Sequence, residues 1–176
     1  MLVVVVFFLN TRLYAAEGPE MTRLFPAGGQ RGTVVEVVAS GKFPLWPLTA
    51  WCDCTGVEWK PIAAPGKFSL TVAGGAPLGV HWLRLYEANG ATSVKPFLIG
   101  AIEESTEVEP NDRATEGRLL ETLPCVFNGV LEKSGDVDTV RVSLKAQETL
   151  IASIDSTRFL LTRSMRACNL STRKGL

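Results

Sequence analysis

Oxygen-bearing side chains crowd one stretch of the second half of the sequence. Glu107, Glu109, Asn111 and Asp112 lie within one short segment, and Asp136 and Asp138 follow at the next acidic turn. Calcium takes roughly six to eight oxygen ligands, so this set could hold the ion if the first segment folds onto the turn. The same residues also read as a hydrated acidic linker, with Asp136 and Asp138 serving only a turn. Their spacing is not that of an EF-hand loop.

The parts of a catalytic centre are missing by sequence. A Ser-His-Asp or Cys-His system needs a base held by a third group. The one histidine, His81, alternates with Leu83 and Leu85 and is expected on the inward face of a strand. No His-Glu-x-x-His or Gly-x-Ser-x-Gly occurs, and Gly28-Gly29-Gln30-Arg31-Gly32 precedes a strand pattern where a phosphate-binding loop would precede a helix. The carboxylates around Glu103 to Asp112 lack the apolar pocket that separates acid from base. The expectation is that the chain is not an enzyme and has no catalytic residues.

Cysteines and tryptophans give weaker signals. Cys52 and Cys54 are two apart, so on a strand both point to one face and a mutual bridge has poor geometry. Zinc would need a further ligand pair from His81, Cys125 and Cys168. Buried thiols are expected, the alternative being a bridge from Cys52 or Cys54 to Cys125. Trp46, Trp51, Trp59 and Trp82 are expected to pack a small core, the alternative being exposed rings that stack on sugars or on a partner protein.

Positioning any of these residues falls to strands. Thr33 to Val38 is rich in β-branched residues, Phe68, Leu70 and Val72 alternate with Ser69 and Thr71, and Leu83 and Leu85 alternate with Trp82, Arg84 and Tyr86. Asn89-Gly90 is the expected hairpin turn, returning as a strand over Thr92 to Ile99. Further along, Cys125 to Leu131 is a strand, Ser134-Gly135-Asp136 and Ala146-Gln147-Glu148 are turns, and Val140 to Leu144 and Leu150 to Ile154 alternate again. The expected class is all-β, with two small antiparallel β-sandwich modules: 17–100, immunoglobulin-like, and 114–158, incomplete. An acidic linker, 101–113, separates them, because its large apolar side chains are only Ile102 and Val108.

Composition sets the compartment and the partners. The 176 residues carry 18 Lys and Arg against 18 Asp and Glu, which gives no electrostatic case for nucleic acid or an anionic membrane. Leu2 to Leu9 is a short apolar run ahead of Tyr14-Ala15-Ala16, so 1–16 is read as a signal peptide and the chain as exported to the periplasm, cell surface or medium. No membrane association is expected after its removal. The expected partners are an extracellular polymer, a cell-surface component or another exported protein.

Two resemblances sharpen this. Leu24-Phe25-Pro26-Ala27-Gly28-Gly29-Gln30-Arg31-Gly32-Thr33, with Ala76 to His81 and Arg84-Leu85, resembles the immunoglobulin-like modules that precede peptidase-associated domains in large exported bacterial proteins. Glu107-Val108-Glu109-Pro110-Asn111-Asp112, Leu123-Pro124, Asn128-Gly129 and Gly135-Asp136-Val137-Asp138 together are similar to the bacterial pre-peptidase C-terminal domain, a small β-sandwich. Its relatives include collagen-binding modules in which the matching acidic segment and turn hold calcium. The resemblance therefore implies calcium at Glu107, Glu109, Asn111, Asp112, Asp136 and Asp138. The sequence departs from the family at Thr139, where an aromatic residue is usual, and at Val140, where Phe is frequent.

Function by this reading is that of a non-catalytic exported accessory, adhesive or structural module pair. The alternative is a fragment of a secreted peptidase or other hydrolase whose catalytic domain lies outside the chain. Beyond Phe159 the alternation stops and Arg163, Arg166, Arg173 and Lys174 follow without an acid, so 159–176 is expected as an irregular basic tail. The frame shifted at the third base of the Phe159 codon permits a Ser-Pro turn, an apolar strand and an Asp-x-x-Gly turn like the family's continuation. A frameshift truncating the second module is preferred here to a genuine basic tail, and it would leave Leu150 to Ile154 as an unpaired edge.

Overall fold

A computed structural model describes residues 17–155 and 164–174; the expected signal segment, 1–16, lies outside them. The described residues form strands and no helix, which is the expected all-β class. In the first half, β1 (Glu20–Phe25), β3 (Val34–Lys42), β6 (Lys67–Val72) and β5 (Val57–Pro61) make one antiparallel sheet in the order β1-β3-β6-β5. A second sheet runs β2 (Gly28–Gln30), β9 (Lys95–Gly100), β7 (Gly79–Glu87), β4 (Thr49–Cys52), with β8 (Gly90–Ala91) paired to β7. Of its pairings only β2 with β9 is parallel.

Period-two alternation explains why these two sheets share a core. Val37, Phe68, Leu70 and Val72 from the first sheet and Leu83, Leu85, Phe97 and Ile99 from the second are buried in one cluster. Full burial of each such side chain stabilises by about 1.5–3 kcal/mol. Trp46 and Trp59 meet Phe68 edge-on at ring-centroid distances of 5.3 and 5.9 Å, and Trp59 meets Phe97 at 5.2 Å. Trp51 and Trp82, expected in the core with them, instead lie exposed. They occupy the opposite parity, on the face of β4 and β7 that points away from the cluster.

Local chemistry sets the turns. At Pro65-Gly66 the glycine has φ +82°, and a β-carbon there would lie 2.4 Å from Ala39 O, so only glycine allows Ala39 N–H to donate to Gly66 O at 2.7 Å. The hairpin expected at Asn89-Gly90 turns one residue earlier. Glu87 pairs with Gly90, which leaves Ala88-Asn89 as the loop, and Glu87 Oε2 accepts the Asn89 N–H at 2.7 Å.

The second half departs further from expectation. Residues 101–113 are not a free linker, because β10 (Glu104–Thr106) pairs in parallel with β12 (Cys125–Val130). The acids that made this segment look solvated are held by donors. Glu103 accepts the Thr122 hydroxyl at 2.9 Å, and Glu104 accepts the Asn128 amide at 3.0 Å. A further small sheet joins β11 (Arg118–Leu120) to β13 (Val140–Val142), again in parallel. These two parallel pairings, with that of β2 and β9, depart from the antiparallel arrangement expected, and the other pairings keep to it.

Nor is 159–176 wholly irregular. Its described part, Ser164–Lys174, is β16, which lies between β12 and β14 (Glu148–Ile151) and also pairs with β15 (Ile154–Asp155). The stretch expected to be unpaired at Leu150 thus has β16 as a neighbour. Backbone pairing requires no apolar alternation, which is why the loss of pattern misled. Every residue of β12 is buried, and Leu120, Cys125 and Phe127 form a second, smaller core.

Candidate metal site

Two turns and a strand build the acidic cluster. Glu107 N–H donates to Asn128 O at 2.9 Å, which continues the β10 to β12 pairing and places the Glu107 side chain beside the end of β12. There its Oε1 accepts the Val130 N–H at 2.6 Å. Two residues on, Glu109 Oε2 accepts the Asn111 N–H at 3.0 Å and closes a tight turn that buries Asn111 to 1% exposure. Asn111 O in turn accepts the Thr139 N–H at 3.2 Å and the Thr139 hydroxyl. That hydroxyl is also 2.9 Å from Arg113 O. Thr139 thus ties the acidic segment to the turn carrying Asp138.

The result brings carboxylates together. Glu107, Glu109 and Asp138 each present an oxygen within 4.8 Å of the others, and Asn111 Nδ2 lies 3.5 Å from Glu107 Oε2. Apart from the neighbouring Glu107 carboxyl, neither Asp138 oxygen has a hydrogen-bond partner although both are buried, and Asn111 Oδ1 has none. Buried oxygens without donors are costly, by about 1–3 kcal/mol each and more when charged.

Charge repulsion acts on the protons. Burial, followed by the charge of Asp138, pushes the Glu107 carboxyl up to about 7, while the Val130 N–H and the Asn111 amide oppose that rise. Asp138 is also raised, first by burial and then by the charges of Asp136, Asp112 and Glu132, against a hydrogen bond from Glu107. One proton shared between Glu107 and Asp138, residing on Glu107, satisfies both.

Of the six residues expected to bind calcium, the structure gathers Glu107, Glu109 and Asp138 and seats Asn111 beside them. Asp112 and Asp136 sit within electrostatic reach of Asp138 but are engaged elsewhere. Asp112 Oδ1 accepts the Val137 N–H at 3.3 Å, with Lys133 Nζ 4.0 Å from its other oxygen, and Asp136 Oδ2 accepts the Glu132 N–H at 2.5 Å. Sequence reasoning missed Thr139 and Gly129. The alternation around Thr139 marked only a strand, and Gly129 carries no functional group whose spacing could be read.

All donors in the cluster are oxygens, which suits a hard cation such as calcium better than zinc, whose structural sites use thiolate and imidazole. The buried Asp138 oxygens, which only the Glu107 carboxyl approaches, and the orphaned Asn111 Oδ1 fit that use, since a cation would replace the shared proton and supply the partner that Asn111 lacks. A proton-sharing carboxylate pair also occurs in acid–base catalysis. His81 is not part of this cluster. It pairs with Phe97 on the inward face as expected, its Nε2 2.9 Å from Pro77 O and its Nδ1 3.4 Å from Asp53 Oδ1. Cys52 and Cys54 are free thiols, and burial raises the pKa of both, as expected of inert core cysteines. No protein-family description, curated protein or solved structure matches the chain.

Proposed function

We propose that this chain is a non-catalytic accessory module pair of an exported bacterial protein, with an immunoglobulin-like sandwich followed by a sandwich of the pre-peptidase C-terminal type that calcium locks. One observation carries the calcium reading: Asp138, with both carboxylate oxygens buried and no donor beyond the Glu107 carboxyl, has an oxygen within 4.8 Å of Glu107 and Glu109 oxygens. Glu107, Glu109, Asp138 and Asn111 would hold the ion, with Asp112 and Asp136 adding negative charge from the side. Calcium would supply the positive charge that these oxygens lack and would fasten β10, the end of β12 and the turn before β13 to one another. The role is mechanical: a module stiffened outside the cell, where calcium is plentiful, presents its neighbour to a polymer, a cell-surface component or another exported protein.

The test is thermal unfolding with excess calcium and with chelator. A ligand at about 100 times its Kd stabilises the native state by about 2.7 kcal/mol, so calcium should raise the melting temperature by several degrees while magnesium does less. Identical melts with calcium and with chelator would remove the reading.

A further inference from the structure

The face of β7 and β4 that points away from the core is built unlike a solvated sheet. Val80, Trp82, Arg84 and Tyr86 alternate outward along β7, and the β4 register sets Trp51 directly opposite Arg84. Trp51 is 50% exposed, Trp82 43% and Tyr86 42%, and Val80 and Val94 extend the patch. Large rings left in water next to one another mark a recognition surface more often than a solvated one. Trp82 and Tyr86 are four residues apart on one strand, roughly 13 Å, with Arg84 and Trp51 between them.

Arg84 gives this face its sign. Its guanidinium makes no hydrogen bond or ion pair with any described residue. The nearby acids do not reach it: Glu87 Oε2 accepts the Asn89 N–H at 2.7 Å while its Oε1 is buried without a partner, and Asp53 Oδ1 accepts the Trp82 N–H at 2.8 Å and faces His81. The face therefore offers flat apolar rings around one uncompensated, fork-shaped donor. Trp51, Arg84, Tyr86 and Val94, with Glu87 at its edge, line a depression of about 660 Å³ that is broad and open, and Glu87 belongs to the inward parity of β7.

We propose that this surface binds an acidic polysaccharide, a glycan whose sugar rings carry carboxylates. Pyranose rings present flat C–H faces that stack on exposed Trp and Tyr, and a guanidinium recognises a carboxylate through two parallel hydrogen bonds. A peptide ligand is less suited, because side-chain anchors need enclosed pockets and this platform is open. The inference gives the accessory reading a ligand, and it does not depend on the calcium cluster.

The full chain would be tested in chelator by affinity electrophoresis and tryptophan fluorescence against oligogalacturonate and hyaluronate, with neutral galactomannan and polyglutamate as controls. Acidic glycans should retard the protein and shift its emission. Trp51→Ala and Trp82→Ala should each weaken binding by roughly tenfold, and Arg84→Gln should do so for acidic glycans alone. All three variants should melt as the wild type does. The proposal fails if no acidic glycan is retained, if polyglutamate or galactomannan binds as well, or if the variants bind unchanged. It also fails if light scattering shows a dimer that Trp82→Ala dissociates, which would assign the face to a second copy. Calcium-dependent melting of the same preparation reports the cluster separately, so the loss of either result leaves the other standing.

Discussion

The Glu107 and Asp138 carboxylates meet over the α-carbon of Gly129, where a β-carbon would lie 2.7 Å from Asp138 Oδ2 and 3.0 Å from Glu107 Oε2. Glycine at this position on β12 therefore makes room for two acids that repel each other. Their proximity is a property of the strand as much as of the acids.

Gly129→Ala should push the two carboxylates out of register. Overpacking of this kind costs about 1–3 kcal/mol. The expected outcome is a lower melting temperature in chelator together with a much smaller rise on adding calcium. A variant that melts like the wild type under both conditions would show that the carboxylates move aside freely and that Gly129 does not shape the site.

Asp138→Asn separates the burden of the acidic cluster from its use. Asparagine keeps the shape and removes one of the charges that repel each other, so in chelator the variant should melt at or above the wild type. With calcium the order should reverse, because a charged ligand is gone and the approximately 2.7 kcal/mol available from saturating ion no longer accrues. Circular dichroism melts of both proteins, with and without calcium, would show the crossing. Parallel curves without a crossing would mean that Asp138 is structural.

The pH dependence in chelator follows from the same pair. Glu107 has a folded-state pKa of about 7, above its unfolded value of 4.5, so the folded state holds its proton more tightly. The associated stabilisation is fully present below the unfolded value and is lost as pH rises through about 7. The melting temperature of ion-free protein should therefore fall between those limits, and Glu107→Gln should flatten the fall. A wild-type profile that is already flat in chelator would contradict the shared proton.

Why some of this was legible in sequence and some not comes down to what a pattern encodes. Alternation reports which side chains seek a core, so Phe68, Leu70, Val72, Leu83 and Leu85 were placed correctly, each buried to within 1% of completely. The same alternation put Trp82, Arg84 and Tyr86 together on the other face of β7, yet tryptophan's hydrophobicity argued for the core, and parity was the better guide. For the acids, composition suggested a linker because Glu103, Glu104 and Glu107 are charged. Their partners are donors on or near β12 and its flanks, some twenty residues away, and no local pattern announces such pairings. Of the acidic candidates, Asp112 and Asp136 have the same chemistry as Asp138. Only the tertiary positions of Val137 N–H and Glu132 N–H distinguish them.

The tryptophans offer the clearest test of the first core. Phe68 is fully buried, with Trp46 and Trp59 edge-on to its ring, and the Trp46 indole donates to Ile62 O at 3.1 Å. Phe68→Ala removes the group that both indoles rest on and leaves a cavity between the two sheets, a loss of about 3–5 kcal/mol. Trp82→Ala, on the exposed face, touches none of this and should stay within about 0.5 kcal/mol of the wild type. Urea unfolding monitored by fluorescence would report both. A Phe68→Ala protein as stable as the wild type would mean that the two sheets do not share the core described. A Trp82→Ala protein that unfolds as readily as Phe68→Ala would mean that the outer face of β7 is covered in solution.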